Sequence, residues 1–239
     1  MGFVRKVLLI GAIALVSMPA HPCLSAPSQQ TLRIPEVTEP IVIDGKLNEP
    51  CYRKHPPLTA FVAASESGAA VQATKAWIFW SPDRLNFAFE VTDSTPVGAP
   101  PSKNERDVDG QDRVEVFIWS GKPAEPYYCI EVASRGAIHD YKARFYRKFD
   151  DSWSPAGWKC KVAATPTGYV VEASLSRAAM EAMGQKLKVG QTFRLGLFRA
   201  DFPKLKGEPT WITWVDRRGE PDFHVAESFG RAVLSKARP

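Results

Sequence analysis

The stretch DRVEVFIW, which spans Asp112–Trp119, alternates aliphatic side chains with charged and aromatic ones. Successive side chains of a β-strand point to opposite sides of a sheet, so this stretch predicts a strand with two different faces. The side chains expected to enter a hydrophobic core are Val114, Val116 and Ile118. Glu115, Phe117 and Trp119 share the opposite face, where one carboxylate acceptor beside flat apolar surface suits a pyranose ring.

Similar short runs recur along the chain at intervals that are typical of a β-sandwich. Turn residues such as Pro, Gly and Asp separate them. The predicted strands are residues 76–80, 85–91, 113–119, 127–133, 138–146, 158–163, 169–175, 192–199, 210–215 and 231–234. One short helix is predicted over Arg177–Met183, with Ser176 as its N-cap and Gly184 at its end. The predicted fold class is therefore all-β, an antiparallel β-sandwich of the jelly-roll or immunoglobulin-like kind with one short helix.

The N-terminus has the features of a secretory signal peptide. Two basic residues precede the apolar run Val7–Val16, and small residues follow up to Ala26. The apolar run is too short to span a bilayer. We therefore expect residues 1–26 to be removed, residues 27–239 to fold as a single domain, and the mature protein to be secreted or periplasmic.

The charge balance argues against a nucleic-acid partner. The chain of 239 residues has a formal net charge of +5, and Arg5 and Lys6 in the leader contribute two of these charges, which leaves +3 in the mature chain. The remaining basic residues are interspersed with acids, which is not the clustering that nucleic-acid binding requires. We expect a monomer that does not associate with membranes once the leader is removed.

Three cysteines remain in the mature chain, at Cys51, Cys129 and Cys160. In an oxidising compartment, an odd number is most simply explained by one disulfide and one free thiol. Cys129 and Cys160 both lie in strand-like sequence, and we expect them to be the pair. Use of Cys23 as a lipid anchor is disfavoured because bulky residues precede it.

Five segments, taken in order, resemble the carbohydrate-binding module family 9-like domains, β-sandwiches that occur alone or attached to xylanases. The segments are IDGKLNEP at 43–50, DRVEVFI at 112–118, EVASRG at 131–136, GYVVE at 168–172 and FHVAESFG at 223–230. Each segment is weak by itself, but their shared order over most of the mature chain favours this family. Order along a chain is evidence about the fold and not about function.

The resemblance implies a sugar site in which indole rings clamp a saccharide while acids and an arginine bond to its hydroxyls. Glu115 matches the family's binding glutamate. The sandwiching tryptophan expected six positions earlier is replaced here by Asp109, while Trp119 stands where related chains more often carry an acid. Trp119 is therefore the predicted platform, approaching the sugar from another direction.

Further tryptophans and arginines complete the predicted site. Trp153 lies in a polar loop where an exposed ring favours ligand contact, while Trp77 and Trp158 look structural. Trp211 and Trp214 would point to opposite faces of one strand, so at most one of them can line a site. Arginine offers several fixed donors to neighbouring hydroxyl oxygens. The predicted carbohydrate-binding residues are Glu115, Trp119, Trp153, Arg144, Arg199 and Trp214.

An acidic cluster, DVDGQD at 107–112, has the oxygen density that calcium favours. The resemblance also implies calcium, because members of the family often carry it as a structural ion. The predicted ligands are Asp107, Asp109 and Asp112. The alternative is a solvated acidic turn before the strand.

The sequence lacks the Gly-x-Ser-x-Gly, His-Glu-x-x-His and phosphate-loop motifs. A glycosidase needs two carboxylates across one cleft, and the spacing of Glu115, Asp109 and Glu131 does not separate them from ordinary sandwich acids. We therefore predict that the protein is not an enzyme. It is expected to bind an oligo- or polysaccharide, such as xylan or cellulose fragments, in carbohydrate catabolism alongside glycoside hydrolases.

Two other functions stay open at this point. Similar exported sandwiches bind haem through Met and His ligands, and the mature chain offers Met180, Met183, His55, His139 and His224. The second alternative is a protein-interaction domain whose ancestral sugar site has decayed, which the aspartate at position 109 would fit.

Overall fold

The computed structural model describes residues 31–64, 71–216 and 222–237. The strands are β1 (Thr31–Pro35), β2 (Val62–Ala63), β3 (Thr74–Trp80), β4 (Arg84–Thr92), β5 (Arg113–Trp119), β6 (Tyr127–Ala133), β7 (Ile138–Arg144), β8 (Lys148–Asp150), β9 (Lys159–Thr165), β10 (Gly168–Ser176), β11 (Thr192–Asp201), β12 (Thr210–Thr213) and β13 (Gly230–Ser235). The helices are α1 (Pro50–Lys54) and α2 (Arg177–Ala182), with 3-10 turns at Glu105–Gly110 and Ala226–Ser228. None of the helices described is long and apolar enough to cross a membrane.

The strands form two sheets that pack face to face. The large sheet runs β1-β13-β11-β5-β6-β7-β8, with β12 beside β11 and β2 beside β12, and the small sheet runs β3-β4-β10-β9. This architecture confirms the predicted all-β sandwich. One strand pair departs from the antiparallel prediction, because β1 lies parallel to β13. A second short helix, α1, was not predicted.

The hydrophobic core lies between the two sheets. Val114, Val116 and Ile118 of β5 enter it, as the alternation predicted, and they meet aromatic residues of β4 such as Phe87 and Phe89. All five of these side chains are buried. The other face of β5 is therefore turned away from the small sheet.

A second hydrophobic cluster covers part of the outer face of the large sheet. Phe117 and Trp119 of β5 belong to it, together with Phe198 of β11. The segment that leads into β13 packs onto these rings, and Phe223 stacks on Phe198 with ring centroids 4.0 Å apart and planes 12° apart. This segment leaves the neighbouring part of the outer face open as a cavity.

The turn at Asp44-Gly45 and helix α1 are fixed to the outer face of the small sheet by Glu172 of β10. The Glu172 carboxylate accepts hydrogen bonds from the backbone N–H groups of Asp44 and Gly45 at 2.9 Å each, and from Tyr52 Oη at 2.8 Å. Gly45 has φ +83°, and a Cβ at this position would lie 3.0 Å from Ala163 Cβ. Glycine is therefore required here both by the backbone conformation and by the close approach.

The predicted disulfide between Cys129 and Cys160 is wrong, since Cys51, Cys129 and Cys160 are all free thiols. Cys129 packs in the cluster on the outer face of the large sheet. Cys160 packs against the core between the sheets, and Cys51 lies on the outer face of the small sheet. Three layers of the sandwich separate the thiols, so no pair can approach bonding distance.

The predicted helix is confirmed as α2, and its N-cap is also confirmed. Ser176 Oγ accepts a hydrogen bond from the backbone N–H of Ala179 at 3.1 Å. Gly184 follows the last turn with φ +73°, the left-handed conformation in which helices commonly end.

Candidate functional site

A cavity of about 380 Å³ opens on the outer face of the large sheet. Its floor consists of side chains from β5, β6 and β7, and its walls come from β12, the β7–β8 hairpin and the segment that precedes β13. The lining residues are Arg106, Asp109, Arg113, Glu115, Glu131, His139, Tyr141, Arg147, Phe149, Trp211, Asp222, Phe223 and His224. The alternation of β5 explains why Arg113 and Glu115 reach this floor, because both side chains point away from the core.

Buried charges form the centre of the floor. Arg113 Nε lies 2.8 Å from Glu115 Oε1 and 2.7 Å from Glu131 Oε2, and the side chains of all three residues are almost fully buried. Glu115 and Glu131 face each other directly across β5 and β6. Tyr141 Oη donates a further hydrogen bond to Glu131 Oε1 at 2.7 Å. One guanidinium therefore compensates two neighbouring carboxylates.

The pKa of Glu115 is raised above its ordinary value. Burial of the carboxyl is the largest cause, and the nearby Glu131 carboxylate adds to it, while Arg113 opposes both. For Arg113, burial alone would lower the pKa, but the Glu131 and Glu115 carboxylates outweigh this effect and raise it. The guanidinium therefore stays charged and the two acids compete for it.

His139 and Asp109 form the end of the floor beside the 3-10 turn. His139 Nδ1 lies 2.9 Å from Asp109 Oδ1, and the Asp109 side chain is 47% exposed. Burial lowers the pKa of His139, but the hydrogen bond to Asp109 and the nearby carboxylates outweigh it, so the pKa is raised. Asp109 thus places an accessible carboxylate where the family resemblance leads one to expect an indole ring.

Aromatic side chains form the walls of the cavity. Trp211 of β12 is half-buried, and its ring lies 5.2 Å from that of Phe223 at 86°. Arg113 Cζ lies 5.6 Å from the centroid of Trp211, within the distance of a cation–π contact. Phe149 stands on the opposite wall and is 39% exposed. A flat ligand can therefore contact an indole face above a charged floor.

The rim of the cavity is held by two ion pairs and a histidine. Arg147 Nη2 lies 2.8 Å from Asp222 Oδ1, and Arg106 Nη2 lies 2.6 Å from an oxygen of Asp151. Burial lowers the pKa of His224 to about 4, and the charge of Arg147 adds to this effect. His224 Nδ1 is 3.0 Å from Tyr127 Oη, so the imidazole is hydrogen-bonded as well as packed.

Among the predicted sugar-binding residues, the structure places Glu115 in the cavity, and its role in binding stays a prediction. The expectation that Trp119 faces solvent is wrong, since it is 6% exposed and packs against Phe145 and Phe229 at 4.9 and 5.9 Å. The prediction that Trp214 lines the sugar site is also wrong. Trp214 is 1% exposed in the core between the sheets, and its indole donates to the backbone oxygen of Leu195 at 3.2 Å.

Three further predicted residues lie away from the cavity. Trp153 packs on Tyr128 at 4.8 Å and against the core between the sheets. Arg144 is exposed and donates to the backbone oxygen of Ala124. Arg199 points inward from β11, because it shares the face of the core residues Leu195 and Leu197. Its guanidinium is fully buried and lies 3.2 Å from Asp93 and 3.0 Å from Asp201.

The predicted calcium ligands do not converge. Asp107 is half-buried and accepts hydrogen bonds from Ser102 and Asn104. Asp109 lies in the cavity, while the fully buried Asp112 accepts from the backbone N–H groups of Phe202 and Val97. These three aspartates therefore do not form the calcium site that was predicted from them.

Two other groups of side chains bring potential metal ligands within 4.8 Å of one another. They are Asp109, Glu131 and His139 in the cavity, and Asp93, Asp112 and Asp201 near Arg199. In each group a guanidinium already contacts a carboxylate, namely Arg113 on Glu131 and Arg199 on Asp93 and Asp201. In each group the guanidinium therefore occupies carboxylate oxygens that a metal ion would need as ligands.

The residues proposed as haem ligands are also dispersed. His139 and His224 line the cavity, but Met180 and Met183 are buried in the core between the sheets. His55 packs on Phe79 at 5.5 Å, on the far side of the small sheet. No methionine lies at the cavity lining described, so the predicted His/Met ligand pairing is not formed there.

The fold and the cavity together define a β-sandwich module built to bind a small ligand. The chain belongs to the carbohydrate family 9 binding domain-like family, whose profile matches residues 43–237. This assignment confirms the resemblance noted from the sequence. None of the curated proteins matches the chain.

Solved structures support the same fold. A candidate carbohydrate-binding protein of Bacteroides uniformis is similar with a TM-score of 0.68 and 15% identity, over 87% of this chain and 100% of that one. A carbohydrate binding module family 9 from Caldicellulosiruptor kristjanssonii in complex with cellotriose has a TM-score of 0.57 and 17% identity, over 88% and 95% of the two chains. In its complex with glucose the TM-score is 0.53 with 19% identity, over 88% and 97%.

Several cavity residues were not among the predicted ones. Glu131, His139 and Tyr141 could have been found by pairing β5 with β6 and β7, because cross-strand neighbours share a face. Trp211 was left undecided between two faces of its strand. Phe223 could not be predicted as a wall from local sequence, because its stacking on Phe198 joins distant parts of the chain.

Proposed function

We propose that the protein binds a saccharide in the cavity on the outer face of the large sheet and performs no chemistry on it. The observation that carries this proposal is the combination of an indole wall, Trp211, with a buried floor of Arg113, Glu115 and Glu131. A volume of about 380 Å³ lies at the small end of ligand sites, which commonly measure roughly 300–1,000 Å³. One or two sugar rings are a suitable occupant.

The chemistry of the lining suits a sugar. The faces of Trp211 and Phe149 offer apolar surface for the C–H groups of a pyranose ring, and the carboxylates and guanidinium offer acceptors and donors for its hydroxyls. The hydroxyls of a free sugar are hydrated, so each hydrogen bond to the protein replaces one to water and contributes only about 0.5–1.5 kcal/mol net. Affinity should therefore be modest, and removal of a ring wall should weaken binding strongly.

The arrangement of the acids supports binding without catalysis. A glycosidase places its two carboxyl groups on either side of the scissile bond. Glu115 and Glu131 are instead neighbours on one floor and contact the same guanidinium nitrogen. Both acids are held on one floor by Arg113, which supports a role in accepting hydrogen bonds from sugar hydroxyls.

The bound glycan is proposed to be a β-linked oligosaccharide of the cellulose or xylan type. Support comes from the similar family 9 modules of Caldicellulosiruptor kristjanssonii, which are described with cellotriose and with glucose. We further propose that residues 1–26 direct export, and that the mature protein acts as a secreted or periplasmic monomer alongside glycoside hydrolases. The leader lies outside the residues that the structure describes.

Calorimetry with cellobiose and xylobiose tests the proposal, using the wild type, Trp211→Ala and a matched control. Trp153→Ala is that control, because Trp153 is also half-buried but packs at the edge of the core. We expect Trp211→Ala to weaken binding about tenfold or more, since truncation of a central aromatic contact typically removes about 2 kcal/mol. Absence of wild-type binding, or equal weakening by Trp153→Ala, would contradict the proposal.

A further inference from the structure

The ionisable groups around the cavity do not balance. At the rim, Arg147 pairs with Asp222 and Arg106 pairs with Asp151, so each of these pairs compensates itself. The floor contains three carboxylates and one guanidinium. The carboxylates are Asp109, Glu115 and Glu131, and the guanidinium is Arg113. Even when His139 is protonated and serves Asp109, one acid on the floor lacks a positive counterpart. Burial and the Glu131 carboxylate raise the pKa of Glu115 to about 8, so in the empty cavity Glu115 is neutralised by its own proton near neutral pH.

Glu115 is the carboxylate with the weakest support. Arg113 Nε carries a single hydrogen, yet it lies within 2.8 Å of oxygens from both Glu115 and Glu131. Glu131 also receives the hydroxyl of Tyr141. Glu115 Oε1 and Glu131 Oε2 are both buried beside Arg113 Nε without a well-aligned hydrogen bond, and among the residues that the structure describes Glu115 has no second donor that corresponds to Tyr141. An additional donor from the cavity would satisfy this acceptor.

A protonated amine matches this deficit better than a hydroxyl does. An ammonium group carries three donors and a full positive charge, and hydrogen bonds between charged partners are stronger than neutral ones. The aromatic walls add to the match, because the exposed ring of Phe149 can receive a cation over its face as well as the C–H groups of a sugar ring. With a neutral sugar Glu115 keeps its proton, whereas an ammonium group supplies the positive charge that allows Glu115 to ionise.

We propose that the cavity selects a saccharide with a free amino group, a β-linked hexosamine, over the corresponding neutral sugar. The inference rests on the proposed saccharide-binding function and names its preferred ligand class. A glucosamine disaccharide with a β-1,4 linkage has the shape of cellobiose and replaces one hydroxyl of each ring with an ammonium group. The two sugars therefore separate the effect of charge from that of shape.

Calorimetry at low ionic strength with this disaccharide, with cellobiose and with the N-acetylated disaccharide tests the inference. We expect the free amine to bind about tenfold more tightly than cellobiose, because charge-assisted hydrogen bonds replace neutral ones. Added salt should reduce this advantage, and the N-acetylated sugar should lack it. If cellobiose binds as tightly as the amine, the inference fails while the proposed function stands. If neither sugar binds, both fail.

Variants of the acidic cavity residues test which side chain is responsible for the preference for the amine. Glu115→Gln keeps the shape of the side chain and prevents it from ionising, so we expect the ratio of the amine affinity to the cellobiose affinity to fall to less than about threefold. Asp109→Asn is a second variant on a more exposed side chain, and it covers the case in which Glu115→Gln does not fold. Glu90→Gln is the matched control, because Glu90 pairs with Lys75 at 2.7 Å on the small sheet. Retention of the full preference by both cavity variants would overturn the inference.

Discussion

Arg113 is the residue on which the floor of the cavity depends, because it joins two carboxylates that face each other across β5 and β6. A buried charge that loses its partner is costly, whereas an exposed pair contributes little. The alternation of β5 predicted that Glu115 would leave the core. It could not predict that Trp119 would be covered, since Phe145 and Phe229 come from distant parts of the chain.

Replacement of Arg113 by Met should destabilise the fold by about 3–5 kcal/mol at neutral pH, because Glu115 and Glu131 are then buried without their cation. Urea unfolding measures the change. Arg106→Met is the matched control, since Arg106 pairs with Asp151 near the surface, and it should cost less than about 1 kcal/mol. Equal effects of the two substitutions would show that the floor is not a buried ion cluster.

His224 should make the fold sensitive to acid. Its folded pKa of about 4 lies below its unfolded value, which is near 6.5. The unfolded chain therefore binds the proton first, and stability contributed by neutral His224 is lost as the pH falls from about 6.5 to 4. Urea midpoints of the wild type and of His224→Gln across this range check the effect. The wild type should lose about 2 kcal/mol more than the variant, and parallel curves would contradict the assignment.

The walls of the cavity come from short strands and connecting segments that pack on the regular large sheet. The central strands of both sheets were largely predictable, since β5 and β6 of the large sheet and β4 and β10 of the small sheet alternate clearly. Helix α1 was not, because five residues are too few to show a helical period, and it is fixed by the tertiary contact of Tyr52 with Glu172. Strand β1 pairs with the C-terminal β13, so it also lacks a local signal.

The two aromatic walls should respond differently to truncation. Phe223 is buried and stacks on Phe198, so Phe223→Ala should cost about 3 kcal/mol of stability and also weaken binding. Phe149 is 39% exposed, so Phe149→Ala should weaken binding with a stability change below about 1 kcal/mol. Thermal denaturation and calorimetry separate the two effects. Normal sugar binding by both variants would show that these two rings do not contact the ligand.

At the scale of the molecule, the sandwich divides the chain into layers, and residues that look equivalent in the sequence lie in different ones. Trp211 and Trp214 are close in sequence, yet one lines the outer cavity and the other fills the core. Arg199 is of the residue type expected at a sugar site, but its side chain faces inward. Strand alternation gives the relative faces, but only the packed sheets decide which face is open.

The layers also predict the thiol chemistry of the mature protein. Cys51, Cys129 and Cys160 lie in three different layers, so reductant should leave the melting temperature unchanged. Burial raises the pKa of Cys51 to about 11 and that of Cys160 to about 12, so both thiols should react slowly in the native state. Thiol titration should count all three after denaturation without reductant. A lower count, or a fall in melting temperature on reduction, would indicate a disulfide.

Whether a saccharide occupies the cavity on the outer face of the large sheet can be measured by following the indole N–H resonances of the tryptophans during a titration with cellobiose and with the glucosamine disaccharide. We expect the Trp211 resonance to shift and saturate with the added sugar, while those of Trp153 and Trp214 stay in place. A saturating shift at Trp153 with Trp211 unchanged, or no shift of any indole resonance, would contradict it.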